Sequence, residues 1–212
     1  VWRDYPPCDP RFALLDPDRT SELPRRKLIF QGFSALGGAI EEYLTLMDGM
    51  SVSRELLETL MEGMVRDLRV CQQTPEDGDA RSNLMWRCTL WGSRFFQLGR
   101  RFSFSALPVR EAAILSASDW EEYAGALAVL LLSLCRREAE RHPAAMARTA
   151  RRLWALPTQG RTEVQLAHDS VSALEDFTKE LDLPTQPEQL GEAVQNRLGQ
   201  LSTPQNLLVH TA

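Results

Sequence analysis

The sequence has few residues that bind transition metals, and those it has are scattered. It contains three histidines, no two of which are spaced to share a ligand site: His142, His168 and His210. Its four cysteines include no C-x-x-C pair and follow no regular spacing: Cys8, Cys71, Cys88 and Cys135. This pattern indicates neither a zinc knuckle nor a disulfide framework. Reduced thiols are the simplest interpretation, and they favour a cytoplasmic location.

Long hydrophobic runs are also lacking. The longest, Ala124 to Leu134 (AGALAVLLLSL), has eleven residues, whereas a membrane-spanning helix needs roughly 20. We therefore expect a buried core helix there and no association with a membrane. The N-terminal stretch VWRDYPPCDPR shows neither the charged nor the apolar region of a secretory signal. A chain that starts with valine is expected to be processed or to be part of a longer protein.

An excess of positive charge is absent as well. Lys and Arg number 24 against 29 Asp and Glu, which gives a net charge of −5. Nucleic-acid binding needs a clustered basic face, and the Arg-Arg pairs of this chain are short and isolated. We therefore exclude a nucleic acid as the partner. Hydrophobic residues make up 43% of the 212 residues, which is enough for a packed core.

The signatures of common enzyme classes are missing too. The sequence has no G-x-G-x-x-G, no P-loop and no G-x-S-x-G. Gly37-Gly38 stands inside a helical pattern and not at a strand-to-helix turn. Three further groups are predicted to be structural: the carboxylates Glu41-Glu42, Glu121-Glu122 and Glu62 on solvated helix faces, the surface pair His168-Asp169, and the aromatic group Trp86, Trp91, Phe95, Phe96, Phe102 and Phe104 in a core or an interface.

Helical periodicity dominates the sequence after residue 23. Residues 1–23 are rich in proline and predict an extended lead-in, and residues 24–212 predict a single all-α domain of six or seven helices. Pro24 suits the start of the first helix. No period of 20 to 50 residues repeats, so a solenoid is not indicated.

The helix boundaries can be predicted in part. Ser53 and Ser118 are expected as N-caps of two amphipathic helices. The helix from Asp79 to about Arg100 is apolar around most of its circumference, so we expect it to be the most buried one. The stretch from residue 101 to 117 is ambiguous and predicts at most a short helix after Pro108.

Three ordered stretches resemble one protein family. Residues 11–24 (RFALLDPDRTSELP), 34–45 (SALGGAIEEYLT) and 79–90 (DARSNLMWRCTL) resemble successive segments of the helical C-terminal half of iron-containing alcohol dehydrogenases, in the butanol-dehydrogenase branch. Residues 174–186 (LEDFTKELDLPTQ) are similar to a late element of the same half. The resemblance covers nearly the whole chain. It implies the helical bundle found in the C-terminal domain of the dehydroquinate synthase-like and iron-containing alcohol dehydrogenase fold.

The resemblance also implies a metal site, from which this sequence departs. In the family a divalent metal, iron or zinc, is held by one Asp and three His and polarises the substrate carbonyl for hydride transfer with NAD(P). The Asp and the first His lie one helical turn apart, and the matching positions here are Ser34 and Gly38. The last His falls near Tyr123, in a region, residues 100–125, that contains no histidine. We therefore expect no metal and no NAD(P) on this chain.

These departures lead to three hypotheses. The family's N-terminal nucleotide-binding domain would precede residue 11, and we expect it to be absent from this chain. The leading hypothesis is a pseudoenzyme, a catalytically degenerate helical domain that acts as a binding, scaffolding or regulatory module. The alternative is part of an NAD(P)-dependent oxidoreductase acting on alcohols or aldehydes. The third is an interaction module whose likeness to dehydrogenases implies nothing about its role. The first and third predict a protein partner or a homodimer that covers exposed apolar surface.

Overall fold

Seven α-helices and two short 3-10 helices account for most of the residues that the structure describes. This computed structural model describes residues 12–46, 48–93, 112, 115–116 and 119–201, and no β-strand occurs among them. The first 3-10 helix is Pro17–Glu22 and the second is Pro187–Gln189. The α-helices are α1 (Arg25–Thr45), α2 (Ser51–Gln73), α3 (Gly78–Gly92), α4 (Trp120–Arg141), α5 (Pro143–Arg152), α6 (Glu163–Glu180) and α7 (Glu192–Leu201). The predicted all-α fold is confirmed.

Helix α1 is the centre of the bundle. It packs against α2, α3 and α4, and it is buried around most of its circumference, with Phe33, Leu36 and Tyr43 fully enclosed. Gly37 permits the close approach of α4, because a Cβ there would lie 3.1 Å from Cδ2 of Leu127. The apolar run in α4 is buried, as its sequence predicts. None of the helices in the described ranges is long and apolar enough to cross a membrane.

Helices α5 and α6 form a closely packed pair. Helix α6 begins with a capping box in which Thr162 and Gln165 satisfy each other's backbone N–H groups. The hydroxyls of Thr149 and Ser170 lie 2.7 Å apart in the buried contact between the two helices. Helix α6 also packs against α4, so this pair is joined to the central core.

Helix α3 lies at the outside of the bundle, so the prediction that it would be the most buried helix is wrong. Only Ala80, Arg81 and Leu84 of α3 are buried, and Trp86 is 53% exposed. The apolar content of a helix does not say how many neighbours surround it. Among the described elements, α3 packs against α1, α2 and the first 3-10 helix, and these leave much of its surface exposed. Helix α3 ends at Gly92 with Ser93 at its C-cap, so its predicted continuation toward Arg100 is wrong at Ser93, and residues 94–100 lie outside the described residues. Of the predicted short helix after Pro108, residues 112 and 115 are described and are helical.

Two helix starts also differ from the predictions. Helix α2 begins at Ser51, with Met50 at the N-cap and no side-chain cap, instead of being capped by Ser53. Helix α4 is capped by Asp119, whose carboxylate accepts hydrogen bonds from the backbone N–H groups of Glu121 and Glu122 at 2.9 and 3.0 Å. A carboxylate competes well for these N–H groups because the N-terminal end of a helix carries partial positive charge. Ser118, the predicted cap, lies outside the described residues.

Two of the stretches that carry the family resemblance contact each other. The buried guanidinium of Arg81 donates hydrogen bonds to the carbonyls of Thr20, Pro75 and Leu23, the last at 3.2 Å. The segment from residue 17 to 22 is a 3-10 helix, so the predicted extended lead-in is wrong there. A charged fork is suited to several carbonyl acceptors at once. These two matching stretches therefore hold the fold together at this point.

Candidate functional site

The candidate site lies on the side of α1 that carries Ser34, Gly38 and Glu42, which are spaced one helical turn apart. We call this side the α1 face. Ser34 is half-buried, and its hydroxyl donates a hydrogen bond of 2.7 Å to the carbonyl of Phe30 in the preceding turn. The hydroxyl is thus engaged within its own helix.

The space beside Gly38 is filled by the indole of Trp91 from α3. A Cβ built on Gly38 would lie 2.3 Å from Cζ2 of Trp91, far inside van der Waals contact. The Nε1–H of the same indole donates a hydrogen bond of 3.0 Å to Oε2 of Glu42. Glycine at position 38 is therefore what allows the indole to reach this carboxylate. The sequence carries no local signal for this contact, since Glu42 and Trp91 are 49 residues apart.

Glu41 and Glu42 are buried, so their predicted place on a solvated helix face is wrong. Their residues are 5% and 2% exposed, because α1 is surrounded by other helices and has no wide face toward water. Tyr123 of α4 is half-buried. Burial and the negative charge of Glu41 raise the pKa of Tyr123 to about 12. Tyr123 therefore lies close enough to Glu41 to be affected by its charge.

The residues on the α1 face do not fit the metal that the resemblance implies. Iron and zinc in proteins are held by imidazoles, thiolates and carboxylates. At the matching positions stand a hydroxyl that already donates to Phe30, a glycine without a side chain, and a phenol that stays protonated at neutral pH. Across the described residues, no group of three or more His, Cys, Asp or Glu is placed to hold a metal ion.

The other polar residues singled out in the sequence are not brought together. His142 is exposed between α4 and α5, and His168 is exposed on α6. Asp169 pairs with Arg161 instead of with His168. Glu62 and Glu121 are exposed, as predicted. His210 lies outside the described residues. The structure therefore assembles no acid–base pair from these residues.

The three cysteines that the structure describes are free thiols. Cys71 and Cys135 are buried and Cys88 is partly buried. Burial raises the pKa of Cys71 to about 11 and the pKa values of Cys88 and Cys135 to about 12. Protonated thiols of this kind are poor nucleophiles, which indicates a packing role. Cys8 lies outside the described residues.

A second polar cluster, which sequence reasoning missed, is centred on Glu58 of α2. Tyr43 of α1 donates its hydroxyl hydrogen to Oε1 of this buried carboxylate at 2.9 Å. Arg148 of α5 forms a two-pronged contact with it, from Nε and, at 3.1 Å, from Nη2. The guanidinium of Arg54 lies over the Tyr43 ring, 5.1 Å from its centre. Burial and the charge of Glu58 raise the pKa of Tyr43 to about 12. The cluster ties three helices together.

Comparison with known proteins identifies butanol dehydrogenases and an aldehyde reductase among the relatives of this chain. No family model matches the chain. Over 175 residues it is 22% identical to the probable NADH-dependent butanol dehydrogenase 1 of Bacillus subtilis, a match that covers 82% of this chain and 45% of that protein. It is 24% identical over 176 residues to the NADPH-dependent aldehyde reductase YqhD of Escherichia coli, covering 83% of this chain and 44% of that protein. The chain thus spans less than half the length of these relatives.

Solved structures show the same relation at the level of fold. The chain superimposes on Escherichia coli YqhD with a TM-score of 0.78 at 23% identity, over 91% of this chain and 49% of that one. For the NADH-dependent butanol dehydrogenase A of Thermotoga maritima the TM-score is 0.67 at 20% identity, over 88% and 47% of the two chains. The chain is therefore related in sequence and in fold to the iron-containing alcohol dehydrogenases, and the part that it matches is their helical C-terminal half.

Proposed function

We propose that this chain is a catalytically degenerate helical domain of the iron-containing alcohol dehydrogenase type, which acts as a binding, scaffolding or regulatory module. The observation that carries the proposal is the indole of Trp91 beside Gly38. By resemblance, position 38 corresponds to a metal-binding histidine and position 34 to a metal-binding aspartate. In this chain the first has no side chain and the second is Ser34, whose hydroxyl donates to Phe30.

The packing around position 38 leaves no space for a metal-binding side chain there. An imidazole at this position needs the volume that the Trp91 ring occupies, and the ring is also held by its hydrogen bond to Glu42. Polarising a substrate carbonyl requires a cation fixed by several charged or imidazole ligands. The residues on the α1 face supply no such set, so we assign them a packing role.

Exposed apolar side chains support a protein partner. Phe12 is 85% exposed and Leu14 is 90% exposed, in the extended segment that leads into the 3-10 helix anchored by Arg81. Trp86 adds an exposed aromatic surface on α3. Apolar groups exposed to this degree favour association. We propose that another protein or a second copy of the chain covers them, and that any nucleotide-binding domain is contributed from outside these residues.

The first test measures metal content and nucleotide binding on the same protein sample. We expect less than about 0.1 equivalent of iron or zinc by elemental analysis, after purification with either metal added, and no saturable change in NADH or NADPH fluorescence. The matched control is the triple variant Ser34→Asp, Gly38→His, Trp91→Ala. It restores two of the family's metal-binding residues and removes the indole that fills the space beside position 38. A stoichiometric metal in the unaltered chain would overturn the proposal.

The alternative is that the chain forms part of an active oxidoreductase. The supporting observation is that the relatives named above are described as NADH- or NADPH-dependent dehydrogenases and reductases. Under this alternative the chain, alone or with a nucleotide-binding partner, oxidises NADPH in the presence of short aldehydes. A rate that depends on both the aldehyde and the chain would favour the alternative over the degenerate domain.

A further inference from the structure

A cavity of about 630 Å³ lies where four helix ends converge. It is lined by residues at the ends of α1 and α4 and at the starts of α2 and α5. This size falls within the range of small-molecule sites, which is roughly 300–1,000 Å³. The cavity contains no residue of the α1 face described above. It is therefore a separate candidate site.

The negative groups of the cavity belong to the two C-terminal helix ends. Helix α1 ends at Thr45 and helix α4 ends at Arg141, and the C-terminal end of a helix carries partial negative charge. Asp48 follows the end of α1, and Glu138 lies in the last turn of α4; both line the cavity. Helix ends and carboxylates therefore act in the same direction and favour a cationic group.

The positive groups belong to the two helices that begin at the cavity, α2 and α5. Neither α2 nor α5 has a side-chain cap. In the first turn of α5, Pro143 has no N–H and the N–H of Ala145 donates to the carbonyl of His142 at 3.3 Å, so Ala144 supplies the N–H that this helix start can offer an anion. Arg54 lies in the first turn or so of α2, and Arg148 lies in α5; both line the cavity. Arg148 uses Nε and Nη2 on the carboxylate of Glu58, which balances its charge, so Nη1 is the guanidinium nitrogen outside that contact. These groups favour an anion.

We propose that this cavity binds a small zwitterion that carries one carboxylate and one ammonium group, of the size of a dipeptide. The carboxylate is held by Arg54, Arg148 and the start of α5, and the ammonium group by Asp48 and Glu138. A simple anion is repelled by the two acidic residues, and a simple cation by the two arginines. Apolar side chains in the lining, Leu44 and Leu46, accommodate an apolar ligand side chain.

The test is an NMR titration in which three related probes are added to the ¹⁵N-labelled 212-residue chain. Glycyl-leucine carries both charges, N-acetylglycyl-leucine only the carboxylate, and glycyl-leucinamide only the ammonium group. We expect saturable shifts of the Ala144 and Ala145 amides with glycyl-leucine, and binding of each singly charged probe that is weaker by about tenfold or more. Free leucine, a fourth probe, distinguishes an amino-acid site from a dipeptide site.

Variants test which side chains bind the carboxylate and which bind the ammonium group of the ligand. Arg54→Gln is expected to weaken glycyl-leucine by about tenfold or more without weakening glycyl-leucinamide, and Glu138→Gln to weaken glycyl-leucine without weakening N-acetylglycyl-leucine. The matched control is Arg136→Gln. Arg136 lies on α4, forms an ion pair of 2.8 Å with Glu175 and does not line the cavity. Circular dichroism checks that each variant folds. Equal affinity for the charged probes, shifts that map elsewhere, or no saturation would each overturn the proposal.

Discussion

The indole nitrogen of Trp91 donates to Oε2 of Glu42 at 3.0 Å. The same ring covers Gly38, one turn earlier on α1. This contact joins a buried carboxylate, a glycine and an aromatic residue into one unit on the α1 face. A substitution at any one of the three positions is therefore expected to act through the other two.

Replacing Gly38 by alanine tests the close packing of Trp91. The new methyl group collides with the indole, and we expect Gly38→Ala to lower the free energy of unfolding by about 1–2 kcal/mol. In the Trp91→Ala background the collision is gone, and the same change is expected to raise stability by up to about 1 kcal/mol, because alanine is the better helix former. Urea denaturation of the four proteins measures both values.

Gly199→Ala is the control for that experiment. Gly199 lies in α7, and a Cβ added there would meet no atom of the described residues within 4 Å. The change therefore adds helix propensity without a collision, and its effect is expected to be neutral or stabilising. If Gly38→Ala has the same sign in both backgrounds, the indole does not restrict position 38.

Arg81 is expected to hold the segment from residue 17 to 23 in place. Arg81→Lys keeps the charge but cannot donate to the three carbonyl acceptors at once. We expect a loss of about 2 kcal/mol in the free energy of unfolding, the usual size for hydrogen bonds to a charged group. Limited trypsin digestion under native conditions is expected to cleave faster after Arg19.

The matched change is Arg66→Lys. Arg66 has a side chain that is 62% exposed and contacts only Asp67 among the ion pairs of the described residues. We expect it to leave both stability and the cleavage rate at Arg19 unchanged. Equal digestion of the two variants would mean that Arg81 stabilises the bundle without anchoring this segment.

Alkaline pH is expected to destabilise the chain, in part through Tyr43. Burial and Glu58 raise its pKa to about 12 in the folded state, from 10.0. The unfolded chain therefore loses this proton at a lower pH than the folded chain. The stability that the neutral phenol contributes is complete below about pH 10 and is lost between about pH 10 and 12.

The variant Tyr43→Phe isolates this contribution. At about pH 8 it loses the hydrogen bond to Glu58, at a cost of about 1 kcal/mol. Between about pH 8 and pH 10.5, however, its stability falls by about 1 kcal/mol less than that of the unaltered chain, because the variant lacks the phenol whose pKa is raised in the folded state. Urea denaturation at the two pH values measures the difference. Parallel pH profiles for the two proteins would contradict the assignment.

The exposed apolar side chains predict association. Analytical ultracentrifugation of the purified chain is expected to show a concentration-dependent dimer, and the double change Phe12→Ser, Leu14→Ser to shift it toward monomer. Val164→Ser is the control, since Val164 is also exposed but lies on α6. A monomer at all concentrations would contradict the expected dimer, and the proposed partner would then be a different protein.

Local sequence patterns establish the helical class and much of the resemblance. The 3.6-residue period that marks a helix depends on neighbours within one or two turns, so α1, α2, α4 and α6 are evident from the sequence alone. The capping box of Thr162 and Gln165 in α6 is also a local feature, since it spans only four residues. The substitutions Ser34 and Gly38, at positions matched by resemblance, can also be read directly.

Which helix faces are covered depends on the tertiary structure. Glu41 and Glu42 carry charges that predict a solvated helix face, yet α1 is surrounded and buries both. Helix α3 is rich in apolar residues, yet it lies outside and exposes Trp86. The contact of Trp91 with Gly38 and the Tyr43–Glu58–Arg148 cluster join residues far apart in the chain. Periodicity shows which side of a helix is apolar, but the neighbour that covers it is set by how all the helices pack at once.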